Sequence, residues 1–130
     1  MSGLTYADAS ALVKLVIEEP ESRAMNRWFV ESTQVTTSRV GLIETLRASA
    51  RRNHDPAHRE QLVRDVAVIE LSPTISIVAA SLQPAILRTL DAIHVASALA
   101  LGAELDAFVT YDDRMADAAR AIGLPVVRPA

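Results

Sequence analysis

The sequence predicts an α/β fold, a mostly parallel sheet carrying helices on both faces. Three observations predict it. Short apolar or β-branched runs alternate along the chain with longer segments of helical spacing, the order that builds parallel sheets through crossover helices. Asp, Ser, Pro and Gly stand at many of the boundaries, where helices start and stop. Half of the 130 residues are hydrophobic, enough for a core in one domain, so residues 1–130 are expected to form a single unit.

The elements follow in order. Leu4 to Ala7 is a short apolar run suited to a strand. "SALVKLVIEEP" has helical spacing, with Ser10 as its expected N-cap and Pro20 as its stop. Glu21 to Glu31 reads as a second helix, with Met25, Trp28 and Phe29 on one face. "QVTTS" is β-branched and predicts a strand. Ser38 is placed to cap the helix that runs to about Arg52, where "NHDP" breaks it. Ala57 to Asp65 is a polar helix, "VAVIEL" a strand, and Pro73 to Gln83 an apolar helix ended by Pro84. Arg88 to Leu101 is a further helix, with Gly102 as its expected C-cap. "AFVTY" is a strand, Asp113 to Ile122 a helix closed by Gly123, and "PVVRP" a last short strand.

Composition narrows the function. Charged residues make up 22% and the net charge is −3, so no strongly basic surface advertises nucleic-acid binding. Cysteine is absent, which excludes disulfide and thiolate chemistry. The longest apolar runs are broken by Gln, Pro, Arg or Asp, too soon for a membrane span. The N-terminus lacks the basic and apolar regions of a signal peptide, so a cytoplasmic protein without membrane attachment is expected.

Ligands of parallel α/β sheets bind beyond the carboxyl ends of the strands, and four acids are placed to reach that edge. Asp8 follows the first strand and Asp112 follows "AFVTY". Glu44 and Asp91 sit in helices, whose side chains lean toward the helix N-terminus and so toward the same edge. Asp91 lies in "TLDAIHVASAL" and is the only acid between Glu70 and Glu104. A carboxylate in such apolar company needs a partner, a proton or a metal. Converging carboxylates repel unless a cation intervenes. Mg²⁺ and Mn²⁺ prefer such oxygen ligands, and a bound water beside them suits phosphodiester hydrolysis. Taken singly, each acid has a plainer role. Asp8 suits the dipole of a helix start, Asp112 or more readily Asp113 a cap, and Glu44 an ion pair with Arg47 three residues on.

"YADASALVKL", "SRVGLIETLRA", "LDAIHVASAL" and "FVTYDDRMADAA" resemble, in order and spacing, the four acidic segments of PIN-domain proteins. They are most similar to the VapC-type toxins of toxin–antitoxin pairs, and the likeness spans essentially the whole chain. The resemblance implies a three-layer α/β/α sandwich and a Mg²⁺- or Mn²⁺-dependent ribonuclease that blocks translation and growth. Its acidic quartet would be Asp8, Glu44, Asp91 and Asp112, with Ser10 and Thr110 as supporting hydroxyls. It also implies an RNA substrate, a cognate antitoxin and a homodimer. Trp28 is the best-placed interface anchor.

Other readings stay beside this one. A basic stretch including Arg47, Arg51, Arg52 and Arg59 suits either an RNA backbone or solvated helix faces. His94, three residues after Asp91, is expected to pack near the acids rather than bind metal. A haloacid-dehalogenase-like phosphatase needs a second Asp two residues after the first, where Ser10 stands. A phosphate-receiving regulatory domain needs a late lysine, and Lys14 is the only one. A non-catalytic PIN-like RNA- or protein-binding module, or another Mg-dependent phosphohydrolase, is the alternative.

Overall fold

The computed structural model describes residues 3–130. In chain order these form β1 (Leu4–Ala7), α1 (Ala9–Leu12) running into a 3₁₀ turn, α2 (Ser22–Glu31), β2 (Gln34–Ser38), α3 (Arg39–Ala50), α4 (Pro56–Asp65), β3 (Ala67–Ile69), α5 (Pro73–Ser81), α6 (Thr89–Leu99), β4 (Leu105–Val109), α7 (Asp113–Ala121) and β5 (Val126–Val127). The strands pair in parallel, in the order β3-β2-β1-β4-β5. The chain steps outward from β1 to β3, then crosses back to lay β4 on the other side of β1. The strand order therefore reverses between β1 and β4, the place where such sheets form a crevice.

Alternation along the central strands divides the core into two layers. Ala7, Ala107 and Val109 pack with Leu12, Val16, Met25, Leu42 and Leu62 from α1 to α4. Tyr6 and Phe108 face the opposite way, onto Val95, Ala98, Met115 and Ala119 of α6 and α7. The three-layer α/β/α sandwich expected from the sequence is the observed architecture. Burying each large side chain in these layers is worth about 1.5–3 kcal/mol.

Several boundaries differ from expectation, each for a physical reason. The N-cap of α1 is Asp8, not Ser10. Residue 8 is the first beyond β1 with the extended backbone a cap needs, at φ −83° and ψ 179°. The fourth strand begins and ends two residues earlier than "AFVTY", because side-chain hydroxyls claim the N–H groups of Tyr111 and Asp112. Helix α6 ends with Ala100 as its C-cap, and Gly102, at φ 57°, opens the 3₁₀ turn that follows. Gly123, at φ 87°, does follow α7 as expected.

Two further side chains find internal partners. Lys14 is buried against the carboxylates of Glu19 and Glu21, with its ammonium 4.5 Å from the centre of the Tyr111 ring. Trp28 is half-buried on the first core layer and donates its indole N–H to Thr5 Oγ1 at 3.3 Å. It packs on the core with one side and keeps part of its surface exposed.

Candidate active site

The site grows from the adjacent ends of β1 and β4. Ala7 pairs with Val109, so Asp8 and Thr110 leave the sheet side by side. Asp8 is only 3% exposed. Its Oδ1 accepts from Ser10 Oγ at 2.6 Å and from the Ala11 N–H at 3.2 Å, and its Oδ2 accepts from Thr110 Oγ1 at 2.5 Å. Each hydroxyl also accepts a backbone N–H, Ser10 from Tyr111 at 2.8 Å and Thr110 from Asp112 at 3.1 Å. The proton of each hydroxyl goes to Asp8 and a lone pair holds the turn after β4. Ser10 and Thr110 thus join two segments a hundred residues apart. Burial pushes the Asp8 carboxyl above its usual range, and the hydroxyls of Ser10 and Thr110 and the Ala11 N–H pull the other way.

Asp112, rather than Asp113, caps α7. Its Oδ1 accepts from the N–H groups of Arg114 at 2.9 Å and Met115 at 3.2 Å. Asp113 turns outward to Arg128 at 2.7 Å. Asp91 stands in the first turn of α6, partly exposed. Burial raises its carboxyl, and so does the charge of Asp112, while the guanidinium groups of Arg88 and Arg114 oppose the rise. Asp91 therefore lies within electrostatic reach of Asp112.

Glu44 reaches the edge from α3, but the expected ion pair with Arg47 does not form. Its Oε1 instead lies 2.7 Å from His94 Nε2. His94 is 2% exposed, and its Nδ1 lies 2.7 Å from the Tyr6 hydroxyl. The Tyr6 oxygen already accepts the Ser38 N–H at 3.2 Å, and burial keeps the phenol protonated. The Tyr6 proton then goes to Nδ1, which leaves the ring proton on Nε2 to be donated to Glu44. This tautomer is assigned from the network.

The four expected acids thus come to one edge. Asp8 and Asp112 are tied through Thr110, Glu44 is held by His94, and Asp91 feels Asp112. They do not form a closed cage. Among the described residues no three His, Asp or Glu side chains are already grouped to hold a metal ion. Sequence reasoning missed the chain from Tyr6 through His94 to Glu44. The signal was there in part: strand alternation turns Tyr6 toward the α6 layer, where His94 lies one turn after Asp91. A separate groove of about 500 Å³ between α5 and α6 presents no titratable side chain and lies apart from this chemistry.

A parallel α/β/α sandwich with carboxylates at the edge of its switch point defines a class of acid-edged α/β folds. A family model of the PIN domain matches residues 5–121. The ribonuclease VapC46 of Mycobacterium tuberculosis is 41% identical, over 95% of this chain and 96% of its own length. Ribonucleases VapC35 and VapC47 of the same species are 39% and 35% identical, each over 97% of both chains. The chain belongs to the PIN-domain family and, within it, to the VapC-type toxins. Solved structures share the fold. The sarcin–ricin-loop-cleaving toxin VapC20 of M. tuberculosis superposes with a TM-score of 0.73 at 20% identity, over 96% of this chain and 99% of that one. VapBC2 of Rickettsia felis, bound to a promoter DNA fragment, gives 0.71 at 13% identity, over 98% and 99%.

Proposed function

We propose that this VapC-type ribonuclease is a Mg²⁺- or Mn²⁺-dependent endoribonuclease whose metal-holding and catalytic residues are Asp8, Glu44, Asp91 and Asp112. One observation carries the reading: four carboxylates from four distant segments reach the carboxyl edge where the strand order reverses. The donor set fits a hard divalent cation, because it is all oxygen. It also suits a positive charge, since burial raises Asp8 and Asp91 and the charge of Asp112 raises Asp91 further. When bound, such a cation would lower the pKa of a water and steady charge on the phosphate.

The chain's own residues supply the rest. Asp8 is fixed by the hydroxyls of Ser10 and Thr110, which act as supporting residues and keep both oxygens oriented. Asp112 uses one oxygen to cap α7. Asp91 projects from a helix in which Ala92 and residues His94 to Ala98 are buried, so the arm that bears it is rigid. Glu44 is aimed by the His94 donor.

The substrate is RNA, cut within the strand with arrest of translation. The partners are a cognate antitoxin and a second copy of the chain. Leu71, Ile77 and Ile86, each at least half exposed on or around α5, support the homodimer. No described helix is long and apolar enough to cross a membrane. We read residues 1–130 as one PIN-like domain acting in the cytoplasm. Purified protein freed of its antitoxin should cleave RNA with Mg²⁺ or Mn²⁺ and stop in EDTA. Asp112→Asn should abolish cutting while the circular dichroism stays that of the wild type. Equal cutting by wild type and variant would refute the reading.

A further inference from the structure

We infer that Arg47 and Arg51 form a phosphate track that carries the RNA strand up to the acids; the inference rests on the ribonuclease reading above. Glu44, Arg47 and Arg51 recur three and four residues apart on α3 and its C-cap, so they share one face. That face lines a groove of about 440 Å³ with Val40, Ile43 and, from α6, Leu90. Leu90 directly precedes Asp91. The groove therefore has one of the four acids, Glu44, in its own wall, and Asp91 follows the residue that closes it from α6.

Both arginines are exposed, and among the described residues neither makes an ion pair. Arg39, Arg52 and Arg128, by contrast, are each engaged by a carboxylate. The reason for the difference is visible. Glu44, the acid nearest in sequence, is turned to His94, which leaves the Arg47 guanidinium free. A helix dipole accounts for a cation at the end of α3, but it does not require two arginines to line one groove beside a carboxylate.

The chemistry favours a nucleic-acid strand. Guanidinium groups bind phosphates through paired hydrogen bonds. Side chains one helical turn apart have Cβ atoms roughly 5–6 Å from each other, a spacing suited to neighbouring phosphates. Ile43 and Leu90, 49% and 46% exposed, offer apolar walls for sugars and bases. On the far flank, α6 also packs against α7, where Arg114 is exposed and close enough to Asp91 to act on its charge. A strand crossing from α3 to α7 meets cations on both sides of the acids.

The test is the salt dependence of binding to a fluorescently labelled single-stranded RNA of mixed sequence, read by anisotropy in EDTA so that nothing is cut. Each phosphate contact on a single strand contributes about −0.7 to the slope of log K against log salt. Arg47→Ala with Arg51→Ala should flatten that slope by about 1.4 and weaken binding about tenfold at low salt. Arg47→Lys with Arg51→Lys should keep the slope. Arg23→Ala with Arg27→Ala on α2, the same change in charge elsewhere, should leave it as in the wild type. In Mg²⁺, the alanine pair should raise KM with little change in kcat. An unchanged slope in the alanine pair overturns the track; joined to lost inhibition by the antitoxin, it assigns the groove to the protein partner instead. Absence of metal-dependent cleavage by the wild type, with the slope change intact, would strike the ribonuclease reading alone.

Discussion

Glu44 and His94, fifty residues apart in sequence, meet through a 2.7 Å hydrogen bond, and the far side of the histidine ring is held by Tyr6 at 2.7 Å. A central strand, a helix of one layer and a helix of the other are joined in this way at the edge where the acids gather. The link does two things. It gives a buried histidine a partner for each nitrogen, and it turns Glu44 away from Arg47.

Tyr6→Phe removes the hydroxyl and leaves His94 Nδ1 and the Ser38 N–H without it. The stability loss should be about 1–3 kcal/mol, read from urea unfolding. Cleavage should fall as well, because the ring is then free to change tautomer and release Glu44. Activity equal to that of the wild type would show that the link is structural only.

Thr110→Val keeps shape and removes the hydroxyl's hydrogen bonds to Asp8 and from the Asp112 N–H, together with its 3.3 Å contact with Ser10 Oγ. The cost should be about 1–3 kcal/mol, with weaker Mn²⁺ binding. Thr110→Ser should restore most of the metal affinity. A serine variant as weak as the valine one would contradict the role given to the hydroxyl.

The pH dependence follows from Asp8. Its folded carboxyl is raised above the ordinary 3.8, so in that window the folded state holds a proton that the unfolded state has lost. Stability without metal should therefore fall as pH rises from 3.8 upward. Asp8→Asn should flatten that decline, and Mg²⁺ should offset it at neutral pH by binding the folded state. Melting temperatures in EDTA across pH check this; parallel curves for wild type and variant would speak against it.

Gly41 permits the close approach of α3 to α6. A Cβ there would lie 2.2 Å from Thr37 Oγ1 and 2.9 Å from His94 Cε1. Both neighbours are buried and have little room to move. Gly41→Ala should cost about 1–3 kcal/mol by overpacking and disturb the aim of His94, lowering activity at temperatures where the variant is still folded. A variant with wild-type melting and cleavage would show that α3 shifts freely.

What was legible in the sequence was what depends on neighbours in the chain. Ser38 caps α3 as expected because capping is a three-residue event. Gly123 ends α7 because its backbone needs positive φ. The placing of Asp8 and Asp112 at strand ends followed from alternation and topology. The misses depend on partners that the sequence does not place together. Asp8 displaces Ser10 as the cap because the pairing of β1 with β4 decides where β1 stops. Asp112 displaces Asp113 because Thr110 fixes the turn. Arg47 loses Glu44 to a histidine fifty residues away.

The central claim is that carboxylates from four segments serve one cation site. The most direct measurement is Mn²⁺ binding, followed by electron paramagnetic resonance, to the wild type and to Asp8→Asn, Glu44→Gln, Asp91→Asn and Asp112→Asn. The wild type should bind Mn²⁺, and each aspartate variant should weaken it by about tenfold or more while remaining folded. Undiminished binding in Asp91→Asn, the acid that stands alone in an apolar helix, would contradict the account.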